Sequence, residues 1–254
     1  MSYIKQGDCL SLLADVQDNS IDMILSDLPY GKTRNRWDSK IPLEPLWEHF
    51  ERVIKKNGAI VLFSQMPFTA ELVQSNPKLF KYEWIWQKEN GTGFLNSHFA
   101  PMKIHENILV FSKAAACYVK DKSTAMVYNP QMRYGFKPYE TKRGHLSENY
   151  DTRWDAPTVT KSNGKRYPID VLKFAHDKDK LHPTQKPVDL CKYLINTYTH
   201  PGDTVLDVCM GSGATCVAAK EEGREFIGFE LEPKYFNVAA ERLGMNEQKV
   251  SNRN

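Results

Sequence analysis

The stretch Thr204-Val-Leu-Asp-Val-Cys-Met-Gly-Ser-Gly-Ala-Thr215 joins an apolar run to a turn that contains two glycines. A helix-like segment follows, and a second apolar run, residues 225–230, ends in a glutamate. This order of strand, glycine turn, helix and strand is typical of the βαβ unit of an α/β fold.

The same stretch predicts a ligand site. Gly211 and Gly213 allow a ligand to approach the backbone, and the first turn of the helix offers unpaired N–H groups. Glu230 lies about twenty residues further on, where the acid of a βαβ unit accepts hydrogen bonds from ribose hydroxyls. Cys216 stands in the third place of the Gly-x-Gly-x-x-Gly pattern, which favours a nucleoside over a dinucleotide. Simple packing of the strand against the helix is the alternative.

A second motif, Ser26-Asp27-Leu28-Pro29-Tyr30-Gly31, directly follows the apolar run of residues 21–25. A short apolar run closed by Pro and Gly is typical of a buried strand, and ligands of α/β sheets bind beyond the carboxyl ends of such strands. Asp27 and Tyr30 are therefore predicted to lie where a substrate binds. The alternative is an ordinary connection in which Asp caps, Pro turns and Tyr packs.

Apolar patterns elsewhere extend this architecture. Apolar residues recur at helical spacing over residues 43–54, and Lys55-Lys56-Asn57-Gly58 is typical of a helix end. Continuous or alternating apolar runs predict strands at residues 59–63, 82–87 and 107–111. Strands that alternate with helices predict a mostly parallel sheet that is covered by helices on both faces.

The composition is that of an ordinary globular protein, with 254 residues, 41% hydrophobic residues and 26% charged residues. No apolar run approaches the ~20 residues that span a bilayer. The first residues lack signal-peptide character, so we expect a cytoplasmic protein without a membrane partner. The five cysteines include no close pair, which argues against a disulfide framework and against a bound metal. The oligomeric state is left open, with a homodimer as one option.

Residues 113–180 lose the alternation of strands and helices. They contain 14 Lys and Arg against 8 Asp and Glu, so this segment carries a charge of +6 while the whole chain carries +3. Aromatic residues are interleaved with these charges, namely Tyr118, Tyr128, Tyr134, Phe136, Tyr139, Tyr150, Trp154 and Tyr167. Cations attract phosphates and aromatic rings support loops or extruded bases, so the segment is predicted to bind DNA, with Arg133, Lys142 and Arg143 as candidate contacts. A partly disordered, solvated insertion is the alternative.

Together the two motifs resemble the beta group of S-adenosylmethionine-dependent amino-methyltransferases that act on DNA. In that group a catalytic Asp-Pro-Pro-Tyr motif comes first, a target-recognition region follows, and a Phe-x-Gly-x-Gly cofactor motif comes last. This chain keeps the order, and its segment His182-Pro-Thr-Gln-Lys-Pro187 resembles the group's His-Pro-x-x-Lys-Pro segment. Two departures are that Leu28 replaces the first Pro of the catalytic motif and that Cys209-Met210 replaces the usual pair before Gly211.

The resemblance implies a Rossmann-like methyltransferase fold. Residues 1–112, with the catalytic motif, and residues 181–254, with the cofactor motif, would form one sheet domain, and residues 113–180 would be an inserted target-recognition lobe. The implied cofactor is S-adenosylmethionine and the implied partner is double-stranded DNA. The resemblance assigns the catalytic motif to Asp27, Leu28, Pro29 and Tyr30, and cofactor binding to Asp8, Lys186, Asp207, Gly211, Gly213 and Glu230. Spacing alone equally allows Asp8 to be the N-cap of a helix.

The implied reaction is direct methyl transfer to the exocyclic amine of a base that is flipped out of the duplex. Tyr30 would stack on the base, while Asp27 and the main-chain carbonyl of Leu28 would accept the amine hydrogens. Members that act on cytosine N4 commonly begin the motif with Ser, whereas those that act on adenine commonly begin it with Asp or Asn. Asp27 therefore favours the N6 of adenine, and the N4 of cytosine stays as the alternative.

Three other classes of protein are weighed against this interpretation. The first is a non-catalytic DNA-binding protein on the same fold, which the intact Asp27, Tyr30 and Glu230 disfavour. The second is a dinucleotide-dependent oxidoreductase, which the missing third glycine disfavours. The third is a methyltransferase that acts on RNA or protein; the basic aromatic segment favours duplex DNA over it but does not exclude RNA.

Overall fold

The computed structural model describes residues 1–31, 39–117, 119, 121–143, 158–179 and 181–245, without the side chains of residues 122, 143 and 158. Tyr118, Tyr150 and Trp154 of the basic aromatic segment lie outside these ranges. The chain divides into two compact units. The first comprises Met1–Asn129 and Asp170–Asn254, and the second comprises Pro130–Ile169.

The helices and strands are, in chain order, β1 (Tyr3–Gln6), α1 (Cys9–Leu13), β2 (Ile21–Ser26), α2 (Leu43–Val53), β3 (Ile54–Ser64), α3 (Phe68–Ser75), β4 (Phe80–Thr92), β5 (Lys103–Phe111), β6 (Tyr139–Arg143), β7 (Thr158–Ser162), β8 (Val171–Lys173), α4 (Val188–Tyr198), β9 (Thr204–Asp207), α5 (Ala214–Glu221), β10 (Glu225–Glu230) and α6 (Pro233–Leu243). Two short 3₁₀ helices are Phe94–Asn96 and Lys122–Thr124. Among the described residues, no helix is long and apolar enough to cross a membrane.

Eight strands of the first unit form one sheet in the order β1-β10-β9-β2-β3-β5-β4-β8. Strand β5 is antiparallel to both of its neighbours, β3 and β4, and the other neighbouring pairs are parallel. The prediction of a mostly parallel sheet is therefore confirmed.

Helices cover both faces of this sheet. Side chains alternate between the two faces along each strand, so successive residues of one strand pack against different helices. In β2, Met23 belongs to a buried cluster that includes Leu194 of α4 and Leu243 of α6. The next residue, Ile24, belongs to a second cluster, which includes Phe50 of α2. The predicted architecture of one sheet between two layers of helices is confirmed.

The predicted helix end at Lys55–Gly58 is wrong, because α2 ends at Val53 and β3 begins at the next residue. Lys55 is held in the strand by its ion pair with Asp22 of β2, with Nζ 2.8 Å from Oδ2. Gly58 permits the two strands to approach closely, since a Cβ there would lie 2.6 Å from the main-chain oxygen of Asp22. Cations and a glycine that resemble a helix end thus serve strand pairing.

The second unit contains an antiparallel pair, in which β6 and β7 align from Tyr139 opposite Ser162 to Arg143 opposite Thr158. This compact unit, Pro130–Ile169, covers fewer residues than the predicted insertion of residues 113–180. On its carboxyl side, β8 pairs in parallel with β4 and so belongs to the main sheet. On its amino side, the N–H of Asn129 donates to the main-chain oxygen of Thr197 in α4.

The strand order diverges between β2 and β9. From β9 the chain continues through α5 to β10 on one side, whereas from β2 it continues through α2 to β3 on the other. Loops that leave the carboxyl ends of two such strands separate and leave a crevice, which is where α/β sheets bind ligands. A cavity of about 450 Å³ lies at this point, lined by residues that follow β1, β2, β9 and β10.

Candidate active site

The two sequence motifs meet at the floor of this cavity. The hydroxyl of Ser26, the last residue of β2, donates a hydrogen bond to Asp207 Oδ1 at 2.8 Å, although the two residues are 181 positions apart. The N–H of Cys209 donates to the same oxygen at 3.1 Å. Ser26 and Asp207 are both buried. Burial raises the pKa of Asp207 to about 6, against the hydrogen bonds from Ser26 and Cys209, which lower it.

Glu230 is fixed by backbone donors from two loops. Its Oε2 accepts a hydrogen bond from the N–H of Gly211 at 2.8 Å, and its Oε1 accepts one from the N–H of Glu232 at 2.8 Å. Gly211 has a φ of 53°, in the left-handed region where a side chain costs energy. Burial raises the pKa of Glu230, although the backbone donors oppose this. The carboxylate lines the cavity with its position set by the glycine turn.

An aromatic wall closes the same part of the cavity. The rings of His182 and Tyr235 are 4.1 Å apart between centroids and meet edge to face. Burial, reinforced by the positive charges of Lys186 and Lys234, lowers the pKa of His182 to about 4. The imidazole is therefore neutral near pH 7.

Asp8 has the capping role that its spacing allowed. Its Oδ1 accepts hydrogen bonds from both the N–H and the hydroxyl of Ser11 at 3.0 Å, which caps the first turn of α1. Asp8 also lines the cavity, so its position is compatible with the cofactor role that the resemblance implies. Gly213, which precedes α5, has a φ of 79° and turns the chain into that helix.

The loop after β2 carries Asp27, Leu28, Pro29 and Tyr30, and all four line the cavity. The hydroxyl of Tyr30 donates to Asp27 Oδ1 at 2.6 Å. The ring of Tyr30 packs on that of Phe68, with 5.2 Å between centroids. Leu28 is 2% exposed and belongs to the same buried cluster as Phe50, so the departure from the usual Pro anchors the loop by apolar packing.

Lys186 contacts Asp27 and also lines the cavity, so the cofactor role that the resemblance implies stays a prediction. Its ammonium makes an ion pair and a hydrogen bond with Asp27 Oδ2. It also lies 3.4 Å from Glu106 Oε2 and 5.1 Å from the centroid of the Phe63 ring. The structure thus places the lysine of the His-Pro-Thr-Gln-Lys-Pro segment at the catalytic motif.

Glu106 completes a chain of four alternating charges that runs from Lys88 through Glu106 and Lys186 to Asp27. Its Oε1 pairs with Lys88 Nζ and accepts a hydrogen bond from Gln65 at 3.1 Å. Its Oε2 is buried and accepts no hydrogen bond from the residues that the structure describes, so the 3.4 Å approach of Lys186 is an ionic contact.

The pKa values of this chain follow from burial and from the neighbouring charges. Burial raises the pKa of Asp27, and Glu106 adds to the increase, while Lys186 opposes it. Burial also acts to raise the pKa of Glu106, but Lys186 and Lys88 outweigh it and the net shift is downward. For Lys186 burial acts to lower the pKa, and Asp27 and Glu106 outweigh it, so the pKa is raised. Glu106 and Lys186 are therefore charged at neutral pH.

The sequence motifs assigned no individual role to Ser26, Gln65, Lys88 or Glu106. A charged residue within an apolar strand such as β5 is a signal of buried pairing. The partners of Glu106 lie on separate elements, however, and no spacing connects them. No group of three or more His, Cys, Asp or Glu side chains arranged to hold a metal occurs in the part of the chain that the structure describes.

The candidate DNA contacts lie in the second unit. The guanidinium of Arg133 donates to the main-chain oxygen of Tyr167 at 3.1 Å and lies 5.2 Å from the Phe136 ring centroid, so Arg133 helps to build this unit. Lys142 is exposed on β6. Arg143 ends the same strand, and its side chain lies outside the described part.

Known proteins are similar to this chain in sequence and in fold. A family model described as DNA methylase, covering N6 and N4 methylases, matches residues 21–241. The DNA adenine methyltransferase YhdJ of Escherichia coli (strain K12) is 29% identical over 257 residues, which cover 94% of this chain and 82% of YhdJ.

Two solved structures show the same fold at lower identity. The complex of M1.HpyAVI with SAM has a TM-score of 0.61 and 23% identity, and the match covers 96% of this chain and 99% of that one. The cytosine-N4-specific PvuII DNA methyltransferase has a TM-score of 0.67 and 16% identity, with coverage of 95% and 86%. Since the family model matches residues 21–241 of a chain of 254 residues, the protein belongs to the N6/N4 DNA methylase family.

Proposed function

We propose that the protein transfers a methyl group from S-adenosylmethionine to the exocyclic N6 of an adenine flipped out of double-stranded DNA. One observation carries the proposal, namely that Asp27, after β2, and Glu230, at the end of β10, line a single cavity where the strand order diverges. The cavity brings together a carboxylate that suits an amine and a carboxylate that suits ribose hydroxyls.

The residues at β9 and β10 fit a nucleoside. Each oxygen of Glu230 accepts one backbone hydrogen bond and keeps a lone pair for a ribose hydroxyl. The positive φ angles of Gly211 and Gly213 shape a turn whose backbone a ligand can approach. His182 and Tyr235 add an aromatic wall. When bound, S-adenosylmethionine supplies a methyl group on a positively charged sulfur.

Asp27 and Leu28 orient the amine. An exocyclic amine is a poor nucleophile because its lone pair is delocalised into the ring. The carboxylate of Asp27 accepts one amine hydrogen and the main-chain carbonyl of Leu28 accepts the other, which turns the lone pair toward the methyl donor. Lys186 lowers the pKa of Asp27 and so favours its ionised form against burial. After transfer the nitrogen carries one proton too many, and Asp27 is placed to accept it.

Tyr30 offsets the cost of base extrusion. Flipping a base costs a few kcal/mol, and stacking on an aromatic ring contributes about 1–3 kcal/mol. The ring of Tyr30 is held before the base arrives, since its hydroxyl is bonded to Asp27 and its ring packs on Phe68. A ring that is already oriented loses little conformational entropy on binding.

The base assignment rests on Asp27 and Ser26. With Asp27 accepting from the exocyclic group and Lys186 donating to the ring, the pair complements the amine and ring nitrogen of adenine or cytosine. In that orientation guanine and thymine would instead present a carbonyl oxygen to the carboxylate. The hydroxyl of Ser26 is buried on Asp207, so Asp27 takes the amine-binding place that Ser holds in many cytosine-N4 enzymes. YhdJ, whose name assigns it to adenine, shares 29% of the aligned sequence. These features favour adenine.

Double-stranded DNA is the proposed polymer, because residues 113–180 carry a charge of +6 and many aromatic side chains. We assign target recognition to this segment and place most of the phosphate contacts there. Neutralised phosphates release counterions, so binding weakens as salt rises.

The test uses amplified, unmethylated DNA and a cofactor with a deuterated methyl group, followed by digestion to nucleosides and mass spectrometry. Labelled N6-methyladenine is the expected product. Labelled N4-methylcytosine would overturn the base assignment, and label that enters RNA but not DNA would overturn the polymer assignment. An absence of label from both nucleic acids would overturn the proposed function.

A further inference from the structure

Both oxygens of Asp27 are occupied before any substrate binds. The hydroxyl of Tyr30 donates to Oδ1, and the ammonium of Lys186 pairs with Oδ2. Each oxygen keeps a second lone pair, but a donor already lies beside it, so an amine that is aligned by this carboxylate competes with that donor for its place. Removing Lys186 from Asp27 within the protein would leave a buried ammonium without an anion, which is strongly unfavourable.

Glu106 offers that ammonium a second anion. Glu106 is 6% exposed, and its Oε1 is fixed by Lys88 and by the side-chain amide of Gln65. Its other oxygen, Oε2, accepts no hydrogen bond from the described residues and lies 3.4 Å from Lys186 Nζ. A buried acceptor is costly to leave unused. Glu106 and Lys186 both line the cavity, so the unused acceptor lies at the site.

We propose that Glu106 is a positioning residue, whose Oε2 receives the ammonium of Lys186 when the amine of the target base replaces that ammonium on Asp27. This inference rests on the proposed function. The movement is small, because a charged N–H···O contact of ordinary length, about 2.8 Å, is about 0.6 Å shorter than the present distance. Rotation of the lysine chain is sufficient, and Lys88 keeps Glu106 in place.

The exchange leaves the charge of the site unchanged. Lys88 and Lys186 balance Glu106 and Asp27 both before and after the ammonium moves, so this group of four side chains keeps a net charge of zero. Asp27 then has one oxygen on Tyr30 and one on the amine. Lys186 stays close enough to donate its remaining hydrogens to the ring nitrogen of the base.

Glu106→Gln tests the inference because it removes the receiving charge but keeps the size of the side chain. We expect kcat/KM for DNA methylation to fall roughly 10- to 100-fold, by analogy with residues that orient metal ligands. Cofactor affinity, measured by calorimetry, should stay as in the wild type. Glu83→Gln is the matched control, since Glu83 is an exposed carboxylate on β4 that accepts a hydrogen bond from Asn107.

The pH profile separates this role from a structural one. Lys186, Glu106, Tyr30 and Asp207 are the titratable groups near Asp27. Since Glu106 raises the pKa of Asp27 and Lys186 lowers it, Glu106→Gln should move the acid limb of kcat/KM to lower pH. Lys186→Gln should move that limb to higher pH. A loss of packing alone would move neither.

A double variant shows whether Glu106 acts through Lys186. If it does, Glu106→Gln should have little further effect in a Lys186→Gln background, and full additivity of the two losses would overturn the inference. Wild-type kcat/KM in Glu106→Gln would also overturn it. If Glu106→Gln does not fold, Glu106→Asp keeps the charge but withdraws it from Lys186, and should lower the rate without a shift of the acid limb. An inactive wild type would instead count against the proposed function.

Discussion

Asp27 joins the cavity to the proposed chemistry, because we assign the alignment of the amine to its carboxylate. We predict that Asp27→Ala lowers methyl transfer by 10²-fold or more, roughly the loss caused by removing one preorganised electrostatic partner of a transition state. Cofactor affinity should stay nearly unchanged, since the side chain of Asp27 bonds to Tyr30 and Lys186, whereas Glu230 is bonded to Gly211. Transfer of a radioactive methyl group measures the first quantity and calorimetry the second.

Asp27→Asn is the matched variant for this prediction. It keeps one acceptor oxygen for the amine but removes the charge that holds Lys186. Its activity should therefore lie between that of the wild type and that of Asp27→Ala. Undiminished methylation by Asp27→Ala would contradict the assigned mechanism.

Asp207 makes the stability of the protein depend on pH. Burial raises its pKa from 3.8 to about 6, so the folded state holds this proton more tightly than the unfolded state does. Between about pH 4 and pH 6 the free energy of unfolding should therefore fall as the pH rises. The decrease that belongs to Asp207 is about 3 kcal/mol, from a shift of about two units at 1.36 kcal/mol each.

Asp207→Asn tests this dependence, since the amide cannot ionise and its oxygen still accepts from Ser26. Urea unfolding of the wild type and the variant should be compared at several pH values between 4 and 7. The wild type should lose stability relative to the variant as the pH rises through this window. Parallel curves would show that Asp207 does not titrate with a raised pKa.

Single residues differ in how well the sequence predicts them. Asp27 and Glu230 could be predicted because each one follows or ends an apolar strand, where α/β sheets bind ligands. The pairing of Lys186 with Asp27 could not, because the two lie 159 positions apart and no pattern fixes side-chain contacts over that separation. Lys186 was therefore placed with the cofactor on resemblance alone.

At the scale of the elements, the hydrogen bond from Ser26 to Asp207 links the carboxyl ends of the paired strands β2 and β9 at the floor of the cavity. We predict that Ser26→Ala lowers the free energy of unfolding by about 1–3 kcal/mol, because a buried carboxylate loses a donor. It should also raise the pKa of Asp207 further and weaken cofactor binding. Thermal unfolding and calorimetry measure these effects.

Ser64→Ala is the control for Ser26→Ala. Ser64 is also a buried hydroxyl at the end of a strand, β3, and it accepts a hydrogen bond from Thr69. Its removal should cost a similar amount of stability without an effect on cofactor affinity. If both variants bind the cofactor like the wild type, the contact between Ser26 and Asp207 is structural only.

The boundary between α2 and β3 shows why an element can be predicted while its end is not. Apolar spacing placed the helix correctly, because that pattern is local to residues 43–54. Lys55 and Gly58 read as a helix end, but both serve contacts with Asp22 of the neighbouring strand. Tertiary contacts of this kind override local preference.

At the scale of the whole molecule, we expect the second unit to bind DNA. We predict that Lys142→Ala combined with Arg143→Ala weakens DNA binding and reduces its salt dependence. Two fewer phosphate contacts should lower the slope of log K against log salt by about 1.8. Fluorescence anisotropy with labelled duplexes measures the slope, and calorimetry should show unchanged cofactor binding.

Lys56→Ala combined with Lys78→Ala is the control of equal charge. Both lysines are exposed and lie near the amino ends of β3 and β4, at the edge of the sheet opposite the cavity. The control should bind DNA like the wild type. An equal loss of DNA affinity in both double variants would show that net charge alone determines binding. Unchanged DNA affinity in both would place the DNA interface elsewhere.

The fold class was predictable because alternating strands and helices fill most of the chain. The bounds of the second unit were not, since β8 has three residues and its pairing with β4 depends on a partner about 85 residues earlier. The charge and aromatic content of residues 113–180 extend across that boundary. Composition therefore indicated a region that is wider than the compact unit.

The position of β9 between β2 and β10 has a consequence for how the protein is made. Ribosomes add about 5–20 residues per second, so roughly 8 to 30 s separate the synthesis of Asp27 from that of Lys186, 159 positions later. Throughout this interval β2 lacks its β9 neighbour and Asp27 lacks its cation. The nascent chain thus lacks a complete site until β9 has been made, and chains stalled on the ribosome before Thr204 should transfer no methyl group.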